Sequence, residues 1–303
     1  MQLEELNNNI MKKEDLFKKN AKRHQIEWKE KNIGSNYDQY KTWLSEKDAK
    51  NGENFFDPQN YLGFNIFKGT DISVMNRYPN YRKSLCADIL RSEHIPFNLF
   101  VPFEKDYKFF KNVLNYFLKD TIGSVSRIII EHAPKPKKKY LYDRTSFDAY
   151  VEYIHKDGSK GILGIEVKYT EKAYPLKKDS KEERDVNNKH SRYYEVSKIS
   201  GIFDMRNIDL MKEDAYRQLW RNHLLAESVK QTNNDVEHAT SIILFPKGNE
   251  HFTKVCKEYS DMLKMKDTFI AITYEDFLSV CRKHCPNNNF KSWLDYLENR
   301  YLI

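Results

Sequence analysis

Two carboxylates and a lysine sit where a single β-hairpin would gather them. Thr145-Ser146-Phe147-Asp148-Ala149-Tyr150-Val151 alternates like a half-buried strand. A polar turn, Lys156-Asp157-Gly158-Ser159, follows, and Gly161-Ile162-Leu163-Gly164-Ile165-Glu166-Val167-Lys168-Tyr169-Thr170 reads as the return strand. The Asp-Gly pair is a strong hairpin signal. Folding about it predicts Asp148 within about one residue of Glu166, and the two-residue period of a strand places Glu166 and Lys168 on one face. Two carboxylates beside a lysine suit a hard divalent cation such as Mg²⁺, which takes oxygen ligands and often needs only one or two protein carboxylates. Mn²⁺ is expected to substitute. The carbonyl of Val167, between the two functional side chains, is a candidate extra ligand. A metal so held lowers the pKa of its water and offsets charge on a phosphoryl oxygen. Lys168 is then placed either to orient that water, to stabilise charge at phosphorus, or, with a pKa lowered by burial, to act as a base.

An acid and a lysine two apart on a strand are also a common solvated ion pair. The surroundings favour chemistry: Gly161 to Val167 is otherwise apolar, so Glu166 is a charge set into a core strand. Unpaired buried charge is costly, and such local violations mark functional sites.

The flanking elements follow from periodicity. A charged helix is predicted from Met1 to about Lys31, with Leu3, Leu6, Ile10, Leu16, Ile26 and Trp28 as an imperfect apolar stripe. A loop region follows to about Gly69, anchored by Phe55, Phe56, Tyr61 and Phe64. From about Tyr81 a helix is predicted with Leu85, Ile89, Leu90 and His94 on one side and Glu93 near its end. A second helix near Lys105 to Leu118 carries Phe109, Val113, Leu114, Phe117 and Leu118 at core spacing. Val125 to Ile130 reads as a strand, and Ser241 to Pro246 and Phe269 to Tyr274 as two more, with continuous apolar runs that fit a sheet covered on both faces. Helices are predicted from Asp214 to about Lys230, from Glu275 to His284 and around Trp293 to Tyr301.

Charge patterning supplies binding candidates. Lys135, Lys137, Lys138 and Lys139 in a proline-stiffened loop would neutralise phosphates, although a basic loop is more often only solvated. The polar stretch from about Lys177 to His190 is read as a mobile loop over the cleft or a DNA-contacting insertion. Arg192, with Tyr193 and Tyr194, mixes cation and aromatic character as nucleic-acid surfaces do. Arg221 is placed to clamp a phosphate bidentately.

The 303 residues, 40% hydrophobic and 31% charged, suit a large globular fold, and the net charge of +7 favours polyanions. No apolar run is long enough to span a membrane and the start lacks a signal-peptide core, so the expected location is the cytoplasm. Four cysteines without a regular framework fit reduced thiols. Cys281-Arg282-Lys283-His284-Cys285 invites a zinc reading, but Phe277, Leu278, Cys281 and Cys285 share one helical stripe and read as core. No phosphate-binding glycine loop or dinucleotide fingerprint is present.

With Asp148 at the first acidic position and Glu166-Val167-Lys168 as the (D/E)xK element, the chain resembles the PD-(D/E)xK nuclease superfamily, the restriction-endonuclease-like fold. It is similar, more narrowly, to a bacterial restriction-endonuclease group through an ordered set of blocks. They are Trp28-Lys29-Glu30, Gly52-Glu53-Asn54-Phe55, Ser92-Glu93-His94 with Phe97-Asn98-Leu99-Phe100, the hairpin, Ser191-Arg192-Tyr193, and Gln218 to Glu227. The first acid often follows a proline in the superfamily; here Phe147 precedes Asp148, at a position that drifts. The resemblance implies an α/β fold: a restriction-endonuclease-like core with a mixed central sheet flanked by helices, plus a helical N-terminal region. It places that region at 1–80, packed on a core at 81–303. It also implies that Glu93 joins the metal site and that Gln218 lies at it. The implied activity is metal-dependent hydrolysis of DNA in restriction or phage defence, as a homodimer or with a defence-system partner. An RNA-cutting member of the same fold, or a nucleic-acid-binding module without chemistry, are the alternatives.

Overall fold

The structure is a computed structural model that describes residues 2–34, 36–56, 83–173 and 175–303, with side chains from residue 16 onward. The stripe positions Leu3, Leu6 and Ile10, as side chains, and the anchors Tyr61 and Phe64 lie outside the described residues. Helices α1 (Gln2–Asn32), α2 (Glu46–Lys50), α3 (Lys83–Ala87), α4 (Ile95–Phe100) and α5 (Tyr107–Phe117) precede strands β1 (Ile122–His132), β2 (Phe147–His155) and β3 (Lys160–Val167). Then come α6 (Lys181–Asn187), α7 (Arg192–Ser200), α8 (Ile208–Met211) and α9 (Arg217–Thr232). The chain ends with β4 (Val236–Phe245), α10 (Glu250–Asp261), β5 (Phe269–Thr273), α11 (Tyr274–His284) and α12 (Asn288–Tyr301).

The five strands lie in the order β1-β2-β3-β4-β5. β1, β2 and β3 are antiparallel; β4 joins β3, and β5 joins β4, in parallel. This is the expected mixed sheet flanked by helices, and the expected order of helix, three strands, helix, strand, strand gains a helix, α10, between the parallel strands β4 and β5. Both faces are covered. On one side, Val151, Leu163, Ile165, Val167 and Leu244 meet Phe109 and Val113 of α5, Phe277 and Cys281 of α11, and Trp293 of α12. On the other, Tyr150, Ile162, Ile243 and Phe245 meet Trp220, Leu224 and Leu225 of α9, Tyr193 of α7 and Tyr259 of α10. Double coverage explains why β3 reads as an apolar run rather than an alternation.

α1 packs on α10 and α12. Gln25 of α1, fully buried, donates to the Tyr169 hydroxyl at 3.0 Å and to the Arg300 carbonyl at 2.5 Å, and the Trp28 ring meets Tyr296 edge-on.

Three expectations change. The helix predicted from Tyr81 is broken. α3 ends at Ala87, where the Asp88 carboxylate accepts from Leu90 N at 3.0 Å in a local turn. Pro96 then disfavours helix at the residue before it, and it opens the separate helix α4. The polar stretch read as a loop contains α6, because the Ser180 hydroxyl caps Glu183 N and Val186 gives the turn a buried anchor. Tyr193 and Tyr194, read as an exposed mixture with Arg192, are buried at 1% and 8% exposure, because α7 packs on α9 through them.

Glu227 of α9 is buried and its carboxyl is pushed up to about 7 by desolvation, with Lys230 opposing weakly. A raised folded-state pKa means stability that is present below the unfolded value near 4.5 and lost as pH climbs through about 7. Glu227→Gln should therefore leave the melting temperature at pH 4 to 5 almost unchanged. At pH 8 it should raise it by a few degrees, from up to about 3 kcal/mol of relieved ionisation cost. Equal shifts at both pH values would contradict the linkage.

Candidate active site

The hairpin turn places the two acids. Gly158 takes φ of +91°, a conformation glycine adopts at no steric cost, and the strands then run in strict antiparallel register, Tyr150 against Gly164 and Ala149 against Ile165. One step further along that register, Asp148 stands opposite Glu166. The Asp148 carboxylate accepts the Val167 N–H at 2.7 Å, so the side chain of one strand closes the end of the other. Two glycines of β3 leave room for rings of β2. A Cβ on Gly164 would fall 2.3 Å from the Phe147 ring, and one on Gly161 would fall 2.2 Å from the Tyr153 ring. The ring of the residue preceding Asp148 thus packs against Gly164 of the neighbouring strand.

Glu166 is only 6% exposed. Lys168 Nζ lies 2.5 Å from its Oε1, on the shared face that the strand period predicts. Gln218 of α9 donates to the same oxygen at 2.7 Å, and Asn222, one helical turn on, donates to Oε2. The backbone of Lys168 is fixed at both ends: its N–H donates to the Leu244 carbonyl at 2.8 Å, and its carbonyl accepts from the Tyr274 hydroxyl at 2.7 Å. The amide of Val167 is taken by Asp148 and its side chain lies in the core.

The electrostatics are those of crowded acids. Asp148 is pushed well above the usual carboxylate range by burial, then by Glu166 and Glu131, while Lys168 and the Val167 N–H oppose the shift. Burial also lowers the Lys168 ammonium, but Glu166, Asp148 and Glu171 together outweigh it, and its pKa ends above the ordinary value. In this arrangement the surrounding acids hold the lysine towards its ammonium form.

Two acids at this centre escaped the sequence reading. Glu131 continues β1 to a position opposite Asp148, buried, with φ of +57° and its carboxylate 3.5 Å from the Ser146 hydroxyl. A left-handed backbone on a non-glycine residue is a costly conformation that concentrates at functional sites. Its one sequence signal is a charge that ends the apolar run Ile128 to Ile130. Glu171 accepts from Tyr169 N at 2.7 Å and from Ser92 N at 2.9 Å. That second bond ties the turn Ser92–His94 to the exit of β3, and Glu93 rides on this turn, held by the Ser84 hydroxyl at 3.2 Å and Arg91 at 3.7 Å. Asn222 was also missed as a partner, although it follows Gln218 at helical spacing.

The cationic candidates divide. Arg221 is engaged by carboxylates: it donates to Asp143 at 2.9 Å, to the Thr145 hydroxyl at 2.6 Å and to Glu182. It thereby pins the lead-in to β2 against α6. Arg192 donates to the carbonyls of Tyr140 at 2.9 Å and Lys139 at 3.3 Å, and pairs with Glu195 at 2.7 Å. Lys135, Lys137, Lys138 and Lys139 are exposed. Their loop is held to α9 by the Thr232 hydroxyl on the Lys139 carbonyl at 3.0 Å. Thr232 lies ten residues past Asn222, so the lysines flank the acids from about 15 Å along the helix axis rather than adjoin them.

Asp148, Glu166 and the Val167 carbonyl are hard oxygen donors. These donors are of the kind a divalent cation takes, and Glu131 adds a third negative charge to the field against the Lys168 ammonium without joining, among the described residues, a cluster of three acids within 4.8 Å. A family model of the PD-(D/E)XK nuclease superfamily matches residues 12–303. No curated protein and no solved structure matches. The chain belongs to the PD-(D/E)XK nuclease superfamily, whose enzymes generally use divalent metals. No helix among the described residues is long and apolar enough to cross a membrane.

The close approach at Gly164 gives a test. Gly164→Ala should cost about 1 to 3 kcal/mol in urea denaturation, since its Cβ displaces the Phe147 ring from beside Asp148. Wild-type stability in that variant would show that the ring moves aside freely.

Proposed function

We propose that this superfamily member hydrolyses DNA phosphodiester bonds with Mg²⁺ as the natural ion and Mn²⁺ as a substitute. The observation that carries the proposal is the convergence of Asp148, Glu166 and Lys168 at the buried end of one hairpin, backed by Gln218. Asp148 and Glu166 hold the ion, with the Val167 carbonyl and Glu93 as further ligands. Bound there, the ion supplies charge neutralisation at the scissile phosphate and acidifies a water.

The chain's own residues do the rest. Hydrolysis joins a water oxygen to phosphorus, breaks one P–O ester bond, and moves a proton from the water towards the leaving oxygen. The Lys168 ammonium, fixed by its backbone and paired with Glu166, presents positive charge where the phosphoryl oxygens gain negative charge. Gln218 and Asn222 hold Glu166 in one orientation, so the site needs little reorganisation when substrate arrives. The lysines of 135–139 supply sequence-independent phosphate contacts at the flank. A duplex long enough to run along α9 meets both places. A role in restriction or phage defence, acting as a homodimer or with a defence partner, follows from the family resemblance.

Purified protein incubated with supercoiled plasmid and Mg²⁺ should nick or linearise it, and EDTA should stop the reaction. Asp148→Asn keeps the acceptor for the Val167 N–H and should lower the rate by about 10²-fold or more with the fold intact. Cleavage of RNA but not of any plasmid, methylated or unmethylated, would move the proposal to the RNA-cutting alternative. Undiminished cutting by Asp148→Asn would overturn the site.

Replacing Lys135, Lys137, Lys138 and Lys139 together with alanine should weaken duplex binding and flatten its salt dependence. Each lost phosphate contact should take about 0.9 off the slope of log affinity against log salt. An unchanged slope, measured by fluorescence anisotropy, would show the loop to be only solvated.

A further inference from the structure

The turn end of the same hairpin carries a second cluster of ligating side chains, about 17 Å along β3 from Glu166. His155 ends β2, Asp157 lies in the turn, and His238 comes from β4. The pairing of β4 with β3 slips there: Lys160 faces Val236 but Gly161 faces His238, so Glu237 is the extra residue of a bulge. A bulge re-aims the side chains beside it. The His238 ring here lies on the His155 ring, centroids 4.4 Å apart and planes 24° from parallel.

Asp157 meets both rings. Its Oδ1 accepts from Ser159 N at 2.8 Å and from the Ser159 hydroxyl at 2.5 Å, which fixes the carboxylate. Its Oδ2 lies 2.9 Å from His155 Nδ1 and 3.6 Å from His238 Nε2. The Ser159 hydroxyl is also 2.9 Å from His238 Nε2, and Asp157 N approaches His155 Nδ1 at 3.3 Å. The three ligand atoms lie within 4.8 Å of one another, the one such group of His, Cys, Asp and Glu among the described residues.

We propose that His155, Asp157 and His238 bind one borderline divalent transition ion of the Zn²⁺ type, independently of the carboxylate centre. The donor chemistry selects the ion. Two imidazole nitrogens and one carboxylate oxygen suit Zn²⁺ and its neighbours, whereas Mg²⁺ prefers oxygen alone. The spacing agrees: a tetrahedral ion with bonds of about 2.0 to 2.1 Å has ligand-to-ligand edges of roughly 3.3 Å. The separations of 2.9 and 3.6 Å bracket that edge. The imidazoles are half-buried and Asp157 is exposed, so the remaining coordination positions open to water. Bound there, the ion staples the hairpin turn to β4, the strands on either side of β3. It stabilises the folded chain by mass action without touching the chemistry.

The experiment uses the full chain carrying Asp148→Asn, to weaken metal binding at the acids, and titrates Zn²⁺ against a chromophoric chelator. The expected result is one more equivalent of Zn²⁺ than the same protein with His238→Ala takes up, an affinity about tenfold or more higher, and a Zn²⁺-dependent rise in melting temperature that the alanine variant lacks. Millimolar Mg²⁺ should not displace the ion. His155→Gln serves as a second variant should His238→Ala fail to give wild-type circular dichroism. Equal Zn²⁺ uptake by folded parent and folded variant would overturn the site and leave the two histidines as hydrogen-bonding partners of Asp157. The readout is binding, so it stands or falls apart from nuclease activity.

Discussion

Placing an ionised Glu166 inside a sheet covered on both faces costs several kcal/mol unless each oxygen finds a donor. The donors that meet it come from two separate pieces of chain. Lys168 follows it on the same strand, and Gln218 and Asn222 arrive on the crossover helix α9. Removing any one leaves part of a buried charge unmet, which is more damaging than losing an ordinary hydrogen bond. The fold must therefore deliver α9 against β3 at one height, and the parallel β3–β4 pairing does so. A parallel neighbour demands a crossover, and the crossover helix lands on the face that carries Glu166.

Asp148 is served differently. It has a backbone donor, the Val167 N–H, but it faces Glu166 and Glu131 and is pushed towards its protonated form. The antiparallel half of the sheet causes this: β1, β2 and β3 in register bring one acid from each strand to the same level. The mixed sheet thus does two things at once. Its antiparallel side gathers negative charge, and its parallel side brings the helix that orients one of those charges. A cation is attracted to such a site because the protein's own positive charge there, Lys168, falls short of the acids around it.

The sequence made the strands and the acidic pair legible for a simple reason. Side-chain alternation and an Asp-Gly turn are local, and local signals fix a hairpin register. Gln218 was reached only through the family resemblance, because the contact between α9 and β3 spans dozens of residues. Asn222 was missed for the same cause, although it sits one turn further along the same face. Glu131 was hidden because a strand that ends on a charge reads as a strand that has ended, and no pattern announces a positive φ. Arg221 shows what a sequence cannot see. An arginine beside the matching glutamine looks like a phosphate clamp, but Asp143 and Glu182 lie far from it in sequence and engage it in space. The Ser180 cap with Glu183 three residues later was local and readable, and the density of charge around it obscured the helix.

The charge state of Lys168 constrains the chemistry more tightly than its position does. Burial alone would favour a neutral amine, and a neutral amine would be a base. The same burial, however, surrounds the side chain with Glu166, Asp148 and Glu171, and their attraction exceeds the desolvation cost. An ammonium has no lone pair with which to take a proton, so in that form Lys168 suits the proposed role of a fixed positive charge and hydrogen-bond donor. In the proposed hydrolysis, proton removal from the attacking water would then fall to a carboxylate, to the substrate or to solvent. Within the chain, Asp148 stands in a crowded negative field beside Glu166 and Glu131, while Glu166 is held by donors from α9. The environments of the carboxylates differ: Glu166 is fixed by donors from α9, and Asp148 is pushed up by burial and by the acids beside it.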